Sequence, residues 1–188
     1  MTRRFFRLIA CSLLLMFACA QTSAAEGVVD ITRAQIESGE DGYKLAASYQ
    51  FELNHGLEDA IQHGVQLHFT TRIELTRPRW YWLDEKAVSA RRTMRISYNV
   101  LTRQYHVSVL GSVQQSFDTL DDALFLIRRP SRWLFAGRGA LKPGETYDVS
   151  LSMDLDRSYL SKPVQLNASG KGEWRLESNK KTFTYRAE

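Results

Sequence analysis

Three stretches of this chain alternate apolar and polar side chains with a period of two, and that constrains its fold more than any other feature. In 43–53, Tyr43, Leu45, Ala47, Tyr49, Phe51 and Leu53 share one side, while Lys44, Ser48, Gln50 and Glu52 take the other. In 65–75, Val65, Leu67, Phe69, Thr71, Ile73 and Leu75 alternate with Gln66, His68, Thr70, Arg72 and Glu74. In 146–155, Tyr147, Val149, Leu151, Met153 and Leu155 alternate with Asp148, Ser150, Ser152 and Asp154. Successive side chains of a strand point to opposite faces, so each run is a strand with one dry and one wet face. That is the habit of antiparallel sheets; parallel strands, covered on both faces, read as unbroken apolar runs. Met94, Ile96, Tyr98 and Val100, then Tyr105, Val107 and Val109, predict a hairpin around "LTRQ". Weaker strands are predicted at 28–36, 79–83, 164–168, 173–177 and 182–186.

Two short helices interrupt the strands. "NHGLEDAIQHGV" supplies Asn54 as N-cap, an apolar stripe of Leu57, Ala60 and Ile61, acidic residues near the positive helix end, and Gly64 as a stop. "TLDDALFLIRRP" supplies Thr119 as cap with Asp122 three residues on, a stripe of Leu120, Ala123, Leu124 and Ile127, and Pro130 as terminator. Helices this short do not stand alone in water, so both must dock on the sheet. The expected fold is mainly β: an antiparallel β-sandwich, immunoglobulin-like or a curled sheet, with two short helices.

The first 25 residues read differently. Arg3, Arg4 and Arg7 precede the apolar run "LIACSLLLMFACA" at 8–20, and small residues follow. This is the plan of a cleaved secretory leader, with cleavage between Ala20 and Ala25 and Ala25 preferred. A lipoprotein box at Leu8–Cys11 is the poorer reading, because no apolar core precedes it. The expected organisation is a leader at 1–25, one β-rich domain at 26–188, and a periplasmic location. Cys11 and Cys19 both lie in the leader, so the exported chain would hold no disulfide, thiolate nucleophile or Cys-ligated metal.

Charge narrows the partners. Without Arg3, Arg4 and Arg7, 22 basic residues face 21 acidic ones, which lacks the basic excess of a nucleic-acid binder. The charge is segregated: residues 26–59 are mostly acidic and residues 72–103 mostly basic. Two complementary faces of one domain account for this, as would a basic surface facing an anionic ligand or a lipid surface.

"RPRWYWLDE" at 77–85 is the strongest candidate for contact. If 79–83 is extended, Trp80 and Trp82 point one way and Tyr81 the other. The stretch is either core-edge packing or a binding surface. Pro78 favours an edge strand, because it has no N–H for a ladder. Arg77, Arg79, Trp80, Tyr81 and Trp82, with Arg95 from the basic region, are the candidate binding residues, since aromatic and Arg side chains dominate contact hot spots. No residue is assigned a catalytic or metal role, and no cofactor is expected. His55, His63, His68 and His106 lack the spacing of a metal pair and read as surface or cap residues. Asp154 and Asp156 share a strand face, with Asp148 further along; turn chemistry explains them more simply than catalysis.

Several segments together resemble one bacterial family, catalogued as domain of unknown function 4390. They are "LEDAIQHGVQLHF" (57–69), "RWYWLDE" (79–85), "RISYNVLTRQYHV" (95–107), "SFDTLDDAL" (116–124), "YDVSLSMDLD" (147–156), "LSKPVQL" (160–166) and "WRLES" (174–178). Asn179 stands where the family often carries another Trp. The resemblance implies an exported proteobacterial protein without assigned activity, whose genes lie near a membrane sensor kinase; it carries over no functional residues. The expected function is thus a periplasmic binding or adaptor protein, not an enzyme, with a membrane protein such as a sensor kinase among its partners. The alternatives are an envelope glycan hydrolase using Asp154 with Asp156 or Asp84 with Glu85, and a purely structural envelope protein.

Overall fold

The computed structural model describes residues 27–79, 85–109, 111–162, 164–165 and 174–188. Among the described residues the main elements follow in chain order: β1 (Val28–Gly39), β2 (Gly42–Gln50), α1 (His55–Gln62), β3 (Leu67–Arg77), β4 (Glu85–Asn99), β5 (Gln104–Val109), β6 (Gln115–Phe117), α2 (Leu120–Arg128), β7 (Trp133–Gly137), β8 (Thr146–Leu155), β9 (Glu177–Ser178) and β10 (Lys181–Arg186). A 3₁₀ turn, Arg157–Tyr159, follows β8.

The strands form one sheet in the order β6-β5-β4-β3-β8-β9-β1-β2-β7, and β10 shares with β9 the far edge of β8. Leu151 pairs with Lys181, and Asp154 with Glu177. Nearly all pairings are antiparallel. The exception is β1 with β9, parallel over Val28 and Val29. The sheet curls on itself. The Tyr49 hydroxyl on β2 meets the Thr71 hydroxyl on β3 at 3.2 Å, Phe51 stacks on Phe69 at 5.4 Å, and Arg92 on β4 donates to the Ser131 carbonyl at 2.9 Å. Burial pushes the Tyr49 phenol up to about 12, against the Thr71 hydrogen bond and the Arg92 charge.

The alternating runs fill the space inside the curl. Leu67, Phe69, Ile73 and Leu75 of β3 and Tyr147, Val149, Leu151 and Met153 of β8 are all buried. Each such side chain contributes roughly 1.5–3 kcal/mol by leaving water. The helices close the interior with Leu57, Ala60 and Ile61 of α1 and Ala123, Leu124 and Ile127 of α2. Asn54 and Thr119 cap them as expected, each side-chain oxygen accepting a backbone N–H of the first turn. The hairpin at "LTRQ" is present, closing with Asn99 opposite Gln104.

Gly42 fixes the contact between β2 and β7. Its φ is +133°, and a Cβ there would lie 2.3 Å from the Ala136 carbonyl oxygen. Only glycine allows that approach.

Two strand expectations change, and a third falls where it is not described. Residues 164–165 are helical rather than extended, and 166–168 lie outside the described residues. The strand expected at 173–177 is reduced to Glu177–Ser178, with Trp174 in a 3₁₀ conformation. The strand expected at 79–83 falls almost wholly on 80–84, outside the described residues.

Candidate functional site

The β3–β4 hairpin places the first group of candidate residues. Arg77, the last residue of β3, pairs in register with Glu85, the first of β4. The Arg77 and Arg79 guanidinium groups both converge on the Glu85 carboxylate, and Arg77 also lies 3.8 Å from Glu145. Hydrogen bonds from Arg79 and Arg77 hold the Glu85 carboxyl below the usual carboxylate range. Glu85 in turn raises the Arg77 guanidinium. The two arginines thus meet one carboxylate at the root of the hairpin; Trp80, Tyr81 and Trp82 lie outside the described residues.

Arg95 does not join them. It sits opposite His68, nine register positions along β3 from Arg77. At about 3.3 Å per residue the separation is roughly 30 Å. The candidate residues therefore divide between two ends of one hairpin.

Half of the basic residues in 72–103 are neutralised locally. Arg72 contacts both Asp154 and, at 3.6 Å, Asp156, and Lys86 meets Glu74 at 3.0 Å. Among the described residues, no ion pair joins the 26–59 stretch to the 72–103 stretch.

Asp154 and Asp156 sit at the rim of an open cleft of about 570 Å³. Burial raises the Asp154 carboxyl against the pull of Arg72, and the Asp156 and Glu177 charges add to the rise. Burial also opposes ionisation of Asp156, but Ser158, Arg72 and Thr70 outweigh it and hold that carboxyl low. Asp156 is also the cap of the 3₁₀ turn, accepting from the Ser158 N–H at 3.1 Å and its hydroxyl at 2.6 Å. Turn chemistry does account for this residue. No group of three His, Asp or Glu side chains among the described residues is arranged to hold a metal ion.

A further concave surface is one the alternation does not reveal. An open groove of about 1380 Å³ runs between β1, the end of β2 and the two helices, lined by Val28, Arg33, His55, Phe125, Arg128 and Arg129 among others. Phe125 is 56% exposed, and the Arg129 guanidinium lies 5.2 Å from its ring centre. Arg128 donates to the Phe51 carbonyl at 2.9 Å and lies 5.4 Å from that ring centre. A signal existed in the sequence: Phe125 falls off the buried stripe of α2, with Arg129 four residues later on the same side.

His68 corrects another expectation. It is only 6% exposed, and its ring stacks on Tyr159 at 4.5 Å. The wet face of β3 is dry at this end, because the turn after β8 folds over it.

These observations define a mainly β protein whose polar clusters lie at a hairpin root, a cleft rim and a helix-lined groove. The chain belongs to the family described as a domain of unknown function, DUF4390, whose model matches residues 27–184. No curated protein and no solved structure gives a match.

Proposed function

We propose that this chain is an exported binding or adaptor module of the bacterial periplasm that contacts a membrane protein, a sensor kinase being the partner class the family resemblance suggests. The observation that carries the reading is Phe125, more than half exposed at an open groove beside the Arg128 and Arg129 guanidinium groups. An exposed aromatic flanked by arginines is the composition of an interface hot spot. The leader-like segment at 1–25 supports the location. The Trp80–Trp82 stretch is the second contact to test.

The experiment is photocrosslinking in cells from positions 125 and 81, with Thr184 on the exposed side of β10 as control. The reading expects one membrane protein captured from 125 or 81 and not from 184. It also expects Phe125→Ala with Arg129→Ala to weaken that capture at least tenfold while the melting temperature stays within a few degrees. Equal capture from all three positions, or none from 125 and 81, overturns it.

A second reading, hydrolysis of envelope glycan, rests on Asp154 held high and Asp156 held low, the split an acid and its partner use. It expects Asp154→Asn to abolish glycan cleavage without changing the crosslinks.

A further inference from the structure

A polar row crosses the outer face of three neighbouring strands. His68 on β3 pairs with Arg95 on β4, and Arg95 pairs with Ser108 on β5. Cross-strand partners share a face, so the three side chains stand side by side. His68 and Ser108 are buried, at 6% and 8% exposure, and Arg95 is half-buried. Tyr159 covers His68 from the 3₁₀ turn, its ring within 15° of parallel. Ser112 and Gln114 come from the β5–β6 connection. Together these residues line a cavity of about 340 Å³. That is within the range of small-molecule sites, roughly 300–1,000 Å³.

The cavity holds hydrogen-bonding capacity that the described protein does not use. The buried His68 Nδ1 has no hydrogen-bond partner. The Gln66 carbonyl favours the protonated ring from nearby but lacks hydrogen-bond geometry. Among the described residues Arg95 has no carboxylate; its contact is the Gln114 side-chain oxygen at 3.5 Å, the outer limit of a hydrogen bond. Leaving buried polar groups unmatched costs on the order of 1–3 kcal/mol each. A cavity that sets a half-buried guanidinium without a carboxylate beside a buried hydroxyl is shaped for an anionic guest.

We propose that this cavity binds a small organic carboxylate, its oxygens taken by the Arg95 guanidinium and the Ser108 hydroxyl, beside the stacked His68 and Tyr159 rings. The planar guanidinium fork suits a carboxylate. Charge selects a monoanion over a dianion such as phosphate. Burial and the Arg95 charge hold the His68 ring in its neutral form, against the Gln66 carbonyl and the Asp156 charge. Arg95 is then the one full positive charge lining the cavity. Tyr159, stacked over His68, also lines the cavity and offers an aromatic contact for the guest's carbon body. This inference is independent of the groove at Phe125 and survives or fails without it.

The test is a titration of the ¹⁵N-labelled exported chain with sodium lactate, sodium benzoate and sodium phosphate at constant ionic strength. Saturable shifts of the Ser108, Ser112 and Gln114 amides are expected with at least one carboxylate, and weaker binding of phosphate. Arg95→Gln is expected to weaken the carboxylate at least tenfold and Ser108→Ala about threefold. Arg91→Gln, four residues away on the same strand face, is expected to change nothing. The Ser108 variant removes a hydroxyl without adding volume, so it still answers if the Arg95 variant unfolds. No saturable shift with either carboxylate, tighter binding of phosphate, or unchanged affinity in the variants overturns the proposal.

Discussion

The two faces of β3 solve the same problem in different ways. Inside the curl, Leu67, Phe69, Ile73 and Leu75 pack as hydrocarbon. On the outside, Arg72 is exposed, but His68 and Thr70 are buried, at 6% and 1% exposure. What buries them arrives from far along the chain. The Asp156 N–H donates to the His68 carbonyl at 2.7 Å, Thr70 shares a hydrogen bond with Thr93 at 2.9 Å, and Tyr159 lies over the imidazole. The inner face is stabilised by non-directional burial. The outer face is stabilised only where each polar atom finds a partner, and at His68 one does not.

Three perturbations break or sharpen that contrast. The largest effect belongs to the inner face: Ile73→Ala, at a fully buried position, is expected to lower stability by about 3–4 kcal/mol in urea unfolding. An effect below about 1 kcal/mol would mean the curl is loosely packed. The outer face should respond to pairing rather than volume. Thr70→Val alone strands the Thr93 hydroxyl and is expected to cost roughly 1–2 kcal/mol, whereas adding Thr93→Val should recover most of that loss, leaving only the cost of the long Thr70–Asp156 hydrogen bond at 3.4 Å. Additive losses in the double variant would show that the hydroxyl pair is not the unit that matters.

The smallest effect is in pH. Burial and Arg95 lower the folded-state pKa of His68 below 6.5, so the unfolded chain takes up this proton first as pH falls. Stability should therefore decline as pH drops from about 6.5 toward the folded-state pKa, with a shallower decline in His68→Gln. Identical slopes in both proteins would place His68 in water rather than under Tyr159.

Much of this architecture was legible beforehand, and its legible parts are local. Asn54 and Thr119 announced their helices because a cap is an interaction across three residues. The "LTRQ" hairpin and the three alternating runs were legible because backbone periodicity is written in neighbouring side chains. The candidate site was legible only in pieces. Arg77 and Arg79 do act together, on Glu85, but Arg95 belongs with His68 and Ser108, an association created by strand register. Phe125 could have been noticed as an apolar residue off its helix stripe; the groove beside it could not.

By itself, then, the sequence determined the strand faces, the two capped helices and the mainly β class, since these rest on contacts between residues a few positions apart. Only the tertiary structure decided that the sheet curls, that β1 meets β9 in parallel, and that the outer side of β3 goes dry beneath a turn whose Asp156 lies 86 residues from Thr70. Alternation states which side chains share a face. Whether that face meets water depends on which distant segment settles on it.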